Sequence, residues 1–471
     1  MFTIFLCVWT SIHPNISGAD DSGWQYVKRQ LMTMIYAVIA PEVVAMWALR
    51  QYFAAQKIAE MYNLEFCGDL GDARRTSTRS FEAIIRLVRR FMNFLRGPQS
   101  VSDSGLKLIQ SYHWSNTHGF FVQMGGFVLH DPLGKPRQVL DYDTLAQLLR
   151  DKAISLSEVA ISEREIRTRS KADSLSKSIV VFQTTWFTVQ IFSRMKAGLP
   201  LSPAEIFSLA FAVLNAAIYA IWWEKPQGVE LSIPLRLRVT TRDVGTSIEY
   251  VGSGGLILDS DSGAENIQPG EKPHIEPTEV WTTQCRHGIW RQEESLRSNS
   301  HHPRTSPSAF LSVVARFCNC SLLPLRKMAL SESIPPNALR VPMFYAYQKW
   351  RNKTTETVFI GPIMGVIFGA VHLLAWSDSS FPSFPELILW RTSAVAITTI
   401  PALVVLLGLF DNVIQNAGTP RYTIPSTAFA WAIPLYVVSR LILIVLAFSS
   451  LRALPRQAFI EIPWTSYIPH L

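Results

Sequence analysis

The sequence is poor in the residues that announce chemistry. Its five cysteines, Cys7, Cys67, Cys285, Cys318 and Cys320, show no two-residue zinc-knuckle spacing. Cys318 and Cys320 stand one residue apart with no histidine pair behind them, so neither a structural metal nor a disulfide framework is indicated. There is no GxxxxGK[ST] loop to cradle phosphates, no HExxH to hold a catalytic metal and no GxSxG nucleophile elbow. Repeated histidine boxes of the kind a di-iron centre needs are missing too. The adjacent pair His301–His302 falls in a Ser- and Pro-rich stretch where histidines are solvated, and the last apolar run has no lysine for a retinal Schiff base. These gaps leave no expected catalytic residue, cofactor or metal ligand.

Charge is scarce as well. Only 17% of residues are charged, and 44 basic against 36 acidic residues give +8 and a pI near 9.2. A basic excess can mark a nucleic-acid binder, but in an apolar chain it reads as Lys and Arg on cytoplasmic loops, with no nucleic-acid partner. The chain is apolar: 48% of residues are hydrophobic and the mean hydropathy is +0.16, too high for an ordinary soluble enzyme. The apolar residues come in blocks separated by long polar segments. The expected fold is therefore an all-α, polytopic transmembrane bundle with the lipid bilayer as its first partner.

The pattern is plainest at residues 178–223. Two apolar runs, Ser178–Met195 and Ala204–Trp223, are each about as long as a bilayer core is thick, and GLPLSPAEI joins them. Gly198 supplies a helix stop, Ser202 an N-cap, Pro203 the first helical position and Glu205 a capping-box partner, so a two-helix transmembrane hairpin is predicted. Other complete spans are expected at Leu31–Leu49, Thr357–Trp376, Trp390–Phe410 and Ala428–Phe448, making six. Ahead of them, Met1–Ile12 is too short to cross unaided. It can be read as a shortened seventh span, a signal peptide ending at SGA without a basic leader, or the product of a lost first exon; the shortened span is preferred.

The resulting domains are 1–53 (shortened segment and first complete span), 54–177 (cytoplasmic loop), 178–223 (hairpin), 224–356 (cytoplasmic loop, with about 252–308 disordered), 357–448 (three spans) and 449–471 (amphipathic tail). In the first loop, RSFEAIIRLVRRFMNFLR reads as a basic amphipathic helix, either for a membrane surface or packed on the protein's own soluble part with its charged face in water, and THGFFVQMGGFVLHDP as a hairpin or ordered loop. Asp141 and Asp143 open a helix at Thr144–Lys152, and Ser162 with Glu165 caps another that runs on into the hairpin. With the large loops inside, eleven flanking Lys and Arg are cytoplasmic and seven are not: Lys28, Arg29, Arg194, Lys196, Arg391, Arg452 and Arg456. Asn15, in an NIS sequon, then faces outward and is available for N-glycosylation, whereas Asn319 and Asn352 face inward.

The blocks CVWTSIHPNI, MIYAVIAPEVVAMWALRQYFAAQKIA, WSNTHGFFVQMGGFVL, ISEREIRTRSKADSLSKSIVVFQTTWFTVQ, LAFAVLNAAIYAIWWEKP and WTSYIPHL resemble, in order and spacing, an uncharacterised family of filamentous-fungal multi-pass integral membrane proteins. The resemblance covers most of the chain outside 64–110 and 229–340. It implies a membrane architecture and a fungal origin, and it brings no activity and no functional residues.

Candidate site residues are the polar groups inside the spans, because each costs several kcal/mol in lipid unless paired or hydrated. Glu42 and Arg440 lie deepest, at depths that allow an ion pair, and His372 lies in the fourth complete span. Gly361, Gly365 and Gly369 repeat every four residues, a spacing that admits a neighbouring helix closely. Gln183 and Gln190 share a face of one hairpin helix, with Asn215 opposite them for interhelical hydrogen bonds. Three functions fit: a non-catalytic scaffold that gathers protein partners through its cytoplasmic loops, a channel or transporter of a small molecule, or an accessory membrane protein or embedded enzyme of a fungal secondary-metabolite pathway. The expected location is the endoplasmic reticulum or the plasma membrane.

Overall fold

The computed structural model describes residues 8–18, 21–68, 113–131, 134–170, 174–237, 323, 327–328, 333–348, 354–376, 381–416, 426–454 and 456–460. Contacts divide the chain into a unit of residues 1–237 and 324–471 and a second of 238–323; the second, apart from Leu323, lies outside the described residues. So do the basic amphipathic run at 79–96, the stretch 252–308, Asn319 and Asn352.

The described chain is mostly helical. Its helices are α1 (Gly23–Ile39), α2 (Pro41–Phe66), α3 (Asn116–Gln123), α4 (Tyr142–Arg150), α5 (Leu156–Val159), α6 (Glu163–Thr168), α7 (Ser174–Lys196), α8 (Pro203–Ile221), α9 (Thr354–His372), α10 (Phe384–Asn416) and α11 (Ser426–Ser449). It is not all-α. Strands β1 (Phe127–His130), β2 (Pro136–Val139) and β3 (Ile233–Arg236) form a sheet in the order β2-β1-β3. The run 116–123, read as hairpin or loop, is helical, and the hairpin begins only after it, where Gly125 at φ +89 turns the chain into β1.

Among the described residues three helices are long and apolar enough to cross a membrane: Pro203–Ile221, Phe384–Leu407 and Ala432–Ala453. That is fewer than the six expected, for two visible reasons. The first is dilution. Polar residues at Gln183, Thr184, Thr185, Thr188, Gln190 and Ser193 interrupt α7; the apolar stretch of α9 within the described residues is Gly361–His372. The second is a break. Leu31–Leu49 is not one helix, because Ala40 leaves helical backbone (φ −146, ψ 67) and α1 and α2 meet at a bend of 117°. Pro41 has no N–H to donate and its ring disfavours helical backbone at the preceding residue. It starts α2 as a first-turn proline instead.

The helices build two cores that share α2. One is an apolar bundle in which the amino-terminal half of α2 packs with α8, α9, α10 and α11. Trp47 of α2 is fully buried there, edge-on to Trp222 (5.1 Å) and Phe344 (5.5 Å). The other is a compact module in which the carboxyl half of α2 meets α3, the sheet, α4 and residues 334–347. Tyr62 stacks on Trp114 at 3.8 Å with the planes 7° apart. A Cβ on Gly119 would stand 2.1 Å from the Ala55 carbonyl oxygen, so α3 touches α2 backbone to backbone. The polar 224–356 region is therefore not all loop, since β3 and 334–347 complete this module.

Candidate functional site

Glu42 and Arg440 meet inside the bundle. Pro41 and Glu42 open α2, so the carboxylate sits on the helix's first turn, where the backbone dipole favours a negative charge. Arg440 reaches it from α11 with Nη2 3.4 Å from Oε2, and both side chains are at most 8% exposed. The guanidinium also donates from Nε to the Ile39 carbonyl (2.9 Å), one of the acceptors left open where α1 stops. It lies 3.9 Å from the Phe368 ring centre, a cation–π contact, with Phe211 and Tyr436 rings farther out. Arg440 Nη1 has no partner among the described residues.

His372 belongs to the same neighbourhood, its ring 4.7 Å from Phe368. Its Nδ1 lies 2.8 Å from the Phe368 carbonyl, which can only accept, so Nδ1 carries the proton and Nε2 is a bare acceptor. That Nε2 has no partner among the described residues either. The two orphans are complementary, because Arg440 offers a donor and His372 an acceptor.

The α9 glycines set this spacing. A Cβ on Gly365 would lie 3.0 Å from Pro401 of α10 and 3.7 Å from Cγ of Glu42. On Gly369 it would meet Thr398 Oγ1 at 2.4 Å and its Cα at 2.8 Å, and on Gly361 only the flexible Met46 side chain at 3.1 Å. The stripe thus seats α2 on one side and α10 on the other.

Asn215 has a different partner from the one the sequence suggests. Its Oδ1 accepts from Ser11 Oγ (2.9 Å), upstream of every named helix, while Gln183 and Gln190 on the half-exposed α7 hydrogen-bond no described residue. The α7 arm is held at its end instead. Arg194 donates to the carbonyls of Ile460 and Ala458 at 2.9 and 3.2 Å.

A second polar cluster escaped the sequence reading. Lys225, fully buried, donates to the His13 carbonyl (2.5 Å) and Gln51 Oε1 (2.8 Å) and lies 4.5 Å from the Trp222 ring. Burial pushes its ammonium well below the ordinary lysine range. No carboxylate pairs with it among the described residues. Gln51 is the hub, because its Nε2 donates to Asn15 Oδ1 (3.3 Å) and the Tyr345 carbonyl (2.7 Å), while its Oε1 also accepts from Trp222 Nε1 (3.1 Å). Asn15 is 6% exposed, with Nδ2 donating to the Pro342 carbonyl at 3.1 Å. A glycan on that nitrogen does not fit this fold, which corrects the expectation for Asn15. The available signal was a lysine two residues after a Trp–Trp pair, in WWEKP.

Residues 1–237, which hold α1 to α8, the sheet and every member of this second cluster but the 342–345 carbonyls, match the model of a family of unknown function, DUF8562. The chain belongs to that family. Glu42, Asn15, Gln51, Asn215 and Lys225 fall within the DUF8562 match, whereas His372 and Arg440 lie beyond it. No curated protein and no solved structure matches the chain.

Proposed function

We propose that this DUF8562 member is a multi-pass membrane protein, of fungal origin, in the endoplasmic reticulum or plasma membrane, with a non-catalytic organising role. In this reading the module faces the cytoplasm and gathers protein partners there. The observation that supports it is the continuity of α2, which is buried in the apolar bundle at Trp47 and in the module at Tyr62, so one rigid helix joins the two. Most of the buried polar groups tie distant chain segments together, as Gln51 and Lys225 do. Proximity labelling from the module, beside metabolite profiling of a deletion strain, tests the proposal. A compact set of labelled proteins with an unchanged metabolite profile is expected, and an altered profile without labelled partners overturns it.

One observation favours a second reading, passage of a small molecule. A broken helix and an orphaned donor and acceptor beside a buried ion pair are the parts from which transporters build sites in the bilayer interior. Flux across reconstituted vesicles that Glu42→Gln abolishes would carry that reading over the first.

A further inference from the structure

We propose that α1 and α2 form a re-entrant element that enters one leaflet, turns at Ala40–Pro41 and leaves on the side it entered, with α1 lying obliquely among anionic lipids of the module-side leaflet. The inference rests on the membrane reading above.

Both ends of the pair are fastened to the module. Before α1, the Ile16 N–H donates to the Met124 carbonyl (3.0 Å), and Asp21 pairs with Arg340 (2.6 Å) and Arg29 (3.0 Å). At the end of α2, Asn63 Nδ2 donates to the Trp114 carbonyl (2.9 Å) and Glu65 pairs with Arg150 (2.5 Å). A single crossing would place these ends on opposite faces.

The bend agrees. At 117° it passes the perpendicular, so α1 runs partly against α2. Over its 17 residues, about 25 Å, α1 descends about 11 Å along the α2 axis and travels about 22 Å sideways. The turn itself is shallow. Trp47 contacts Trp222 just past the end of α8, and Glu42 precedes it by five residues, only about 8 Å deeper. In the bundle, Arg440 closes the turn by taking up both the Ile39 carbonyl and the Glu42 carboxylate.

The faces of α1 point to lipid. Gln30, Thr33 and Ala37 are buried against protein, while Trp24, Val27, Leu31 and Ile35 are 73%, 41%, 43% and 41% exposed. A helix in water would hide the second set. Lys28, exposed within that stripe, is placed to extend its ammonium to phosphate headgroups while its methylenes stay in the apolar layer. The charge pattern sharpens as well. Moving Lys28 and Arg29 to the module side turns eleven basic residues against seven into thirteen against five.

The test uses the full chain freed of native cysteines, in sealed microsomes, with one cysteine restored at a time. Gly23→Cys, where a Cβ meets nothing within 4 Å, and Leu64→Cys, 40% exposed, report the two ends, and exposed Lys196→Cys reports the α7–α8 turn. A membrane-impermeant maleimide is expected to label positions 23 and 64 from one side and position 196 from the other. Labelling of 23 and 64 from opposite sides overturns the proposal. Labelling of all three from one side instead overturns the membrane reading beneath it. A bimane on Leu31→Cys is expected to be quenched more by lipids brominated near the headgroup than by lipids brominated deep in the chain; no quenching, or ready labelling by the aqueous maleimide, removes the lipid contact.

Discussion

Arg440 answers several demands with one side chain: it neutralises Glu42, satisfies the carbonyl at the end of α1 and covers the Phe368 ring. Removing either charge leaves the other buried and alone, a loss of about 3–5 kcal/mol. Glu42→Gln and Arg440→Gln are each expected to lower the melting temperature in detergent and the cellular abundance, with the double variant no worse than the poorer single one; additive losses would show that the two charges act separately. His118 makes a pH-dependent prediction in the module. Its Nε2–H donates to the Ile161 carbonyl and its Nδ1 accepts from the Ser115 N–H, and burial holds the ring below its ordinary value of 6.5. The unfolded chain therefore binds a proton that the folded one refuses as pH falls through about 6.5, and stability drops by at most about 1.4 kcal/mol per unit. His118→Gln keeps an acceptor for the Ser115 N–H and should flatten the melting temperature between pH 7 and 5; an unchanged slope would move the effect to another group. At this scale Glu42, His372 and Arg440 were legible because ionisable residues stand out in apolar runs. Lys225 was not, since nothing local records that the His13 carbonyl and Gln51 close over it.

Among elements, α9 shows how little room separates helices when glycine allows it. Two apolar helices in lipid gain nothing from hiding apolar surface from each other, so close packing and hydrogen bonds must hold them. Alanine at the three glycines should therefore be graded. Gly369→Ala drives a methyl into the Thr398 backbone and is expected to cost about 1–3 kcal/mol, Gly365→Ala less, and Gly361→Ala least because the Met46 side chain can swing away. Equal melting temperatures for the three would contradict that packing. Caps at helix starts were readable in the chain, because they are made within four residues. Ser202 and Glu205 form the reciprocal box, and Asp141 caps α4, which starts at Tyr142, two residues before the expected Thr144. The break at Ala40 was not read, because an apolar run continues through Pro41 and hides the missing N–H, and the stop of α6 at Thr168 was not, because Ser170 just beyond it hydrogen-bonds the backbone of Gln227, far along the chain.

For the molecule as a whole, the shared helix predicts cooperative unfolding. Tyr62→Ala removes the ring stacked on Trp114 and should cost about 3–5 kcal/mol. Since α2 belongs to both cores, the expected result is one transition at lower temperature, followed by tryptophan fluorescence and by proteolysis; two separated transitions would show that module and bundle melt independently. The helical character and the three most apolar helices could be read from composition and length. The module could not, because it is assembled from residues as far apart as Val128, Ile233 and Val341, whose pairing no local pattern encodes. That separation has a consequence for how the protein is made. The Ile39 carbonyl and the Arg440 guanidinium that satisfies it are 401 residues apart in the chain. At the usual pace of synthesis, about 5–20 residues per second, the turn at Ala40 waits about 20–80 seconds for its partner to emerge. Under the proposed membrane reading an open carbonyl and an unpaired glutamate would meet lipid through that interval, so the first helices are expected to crosslink to an insertion factor or chaperone until the last one arrives.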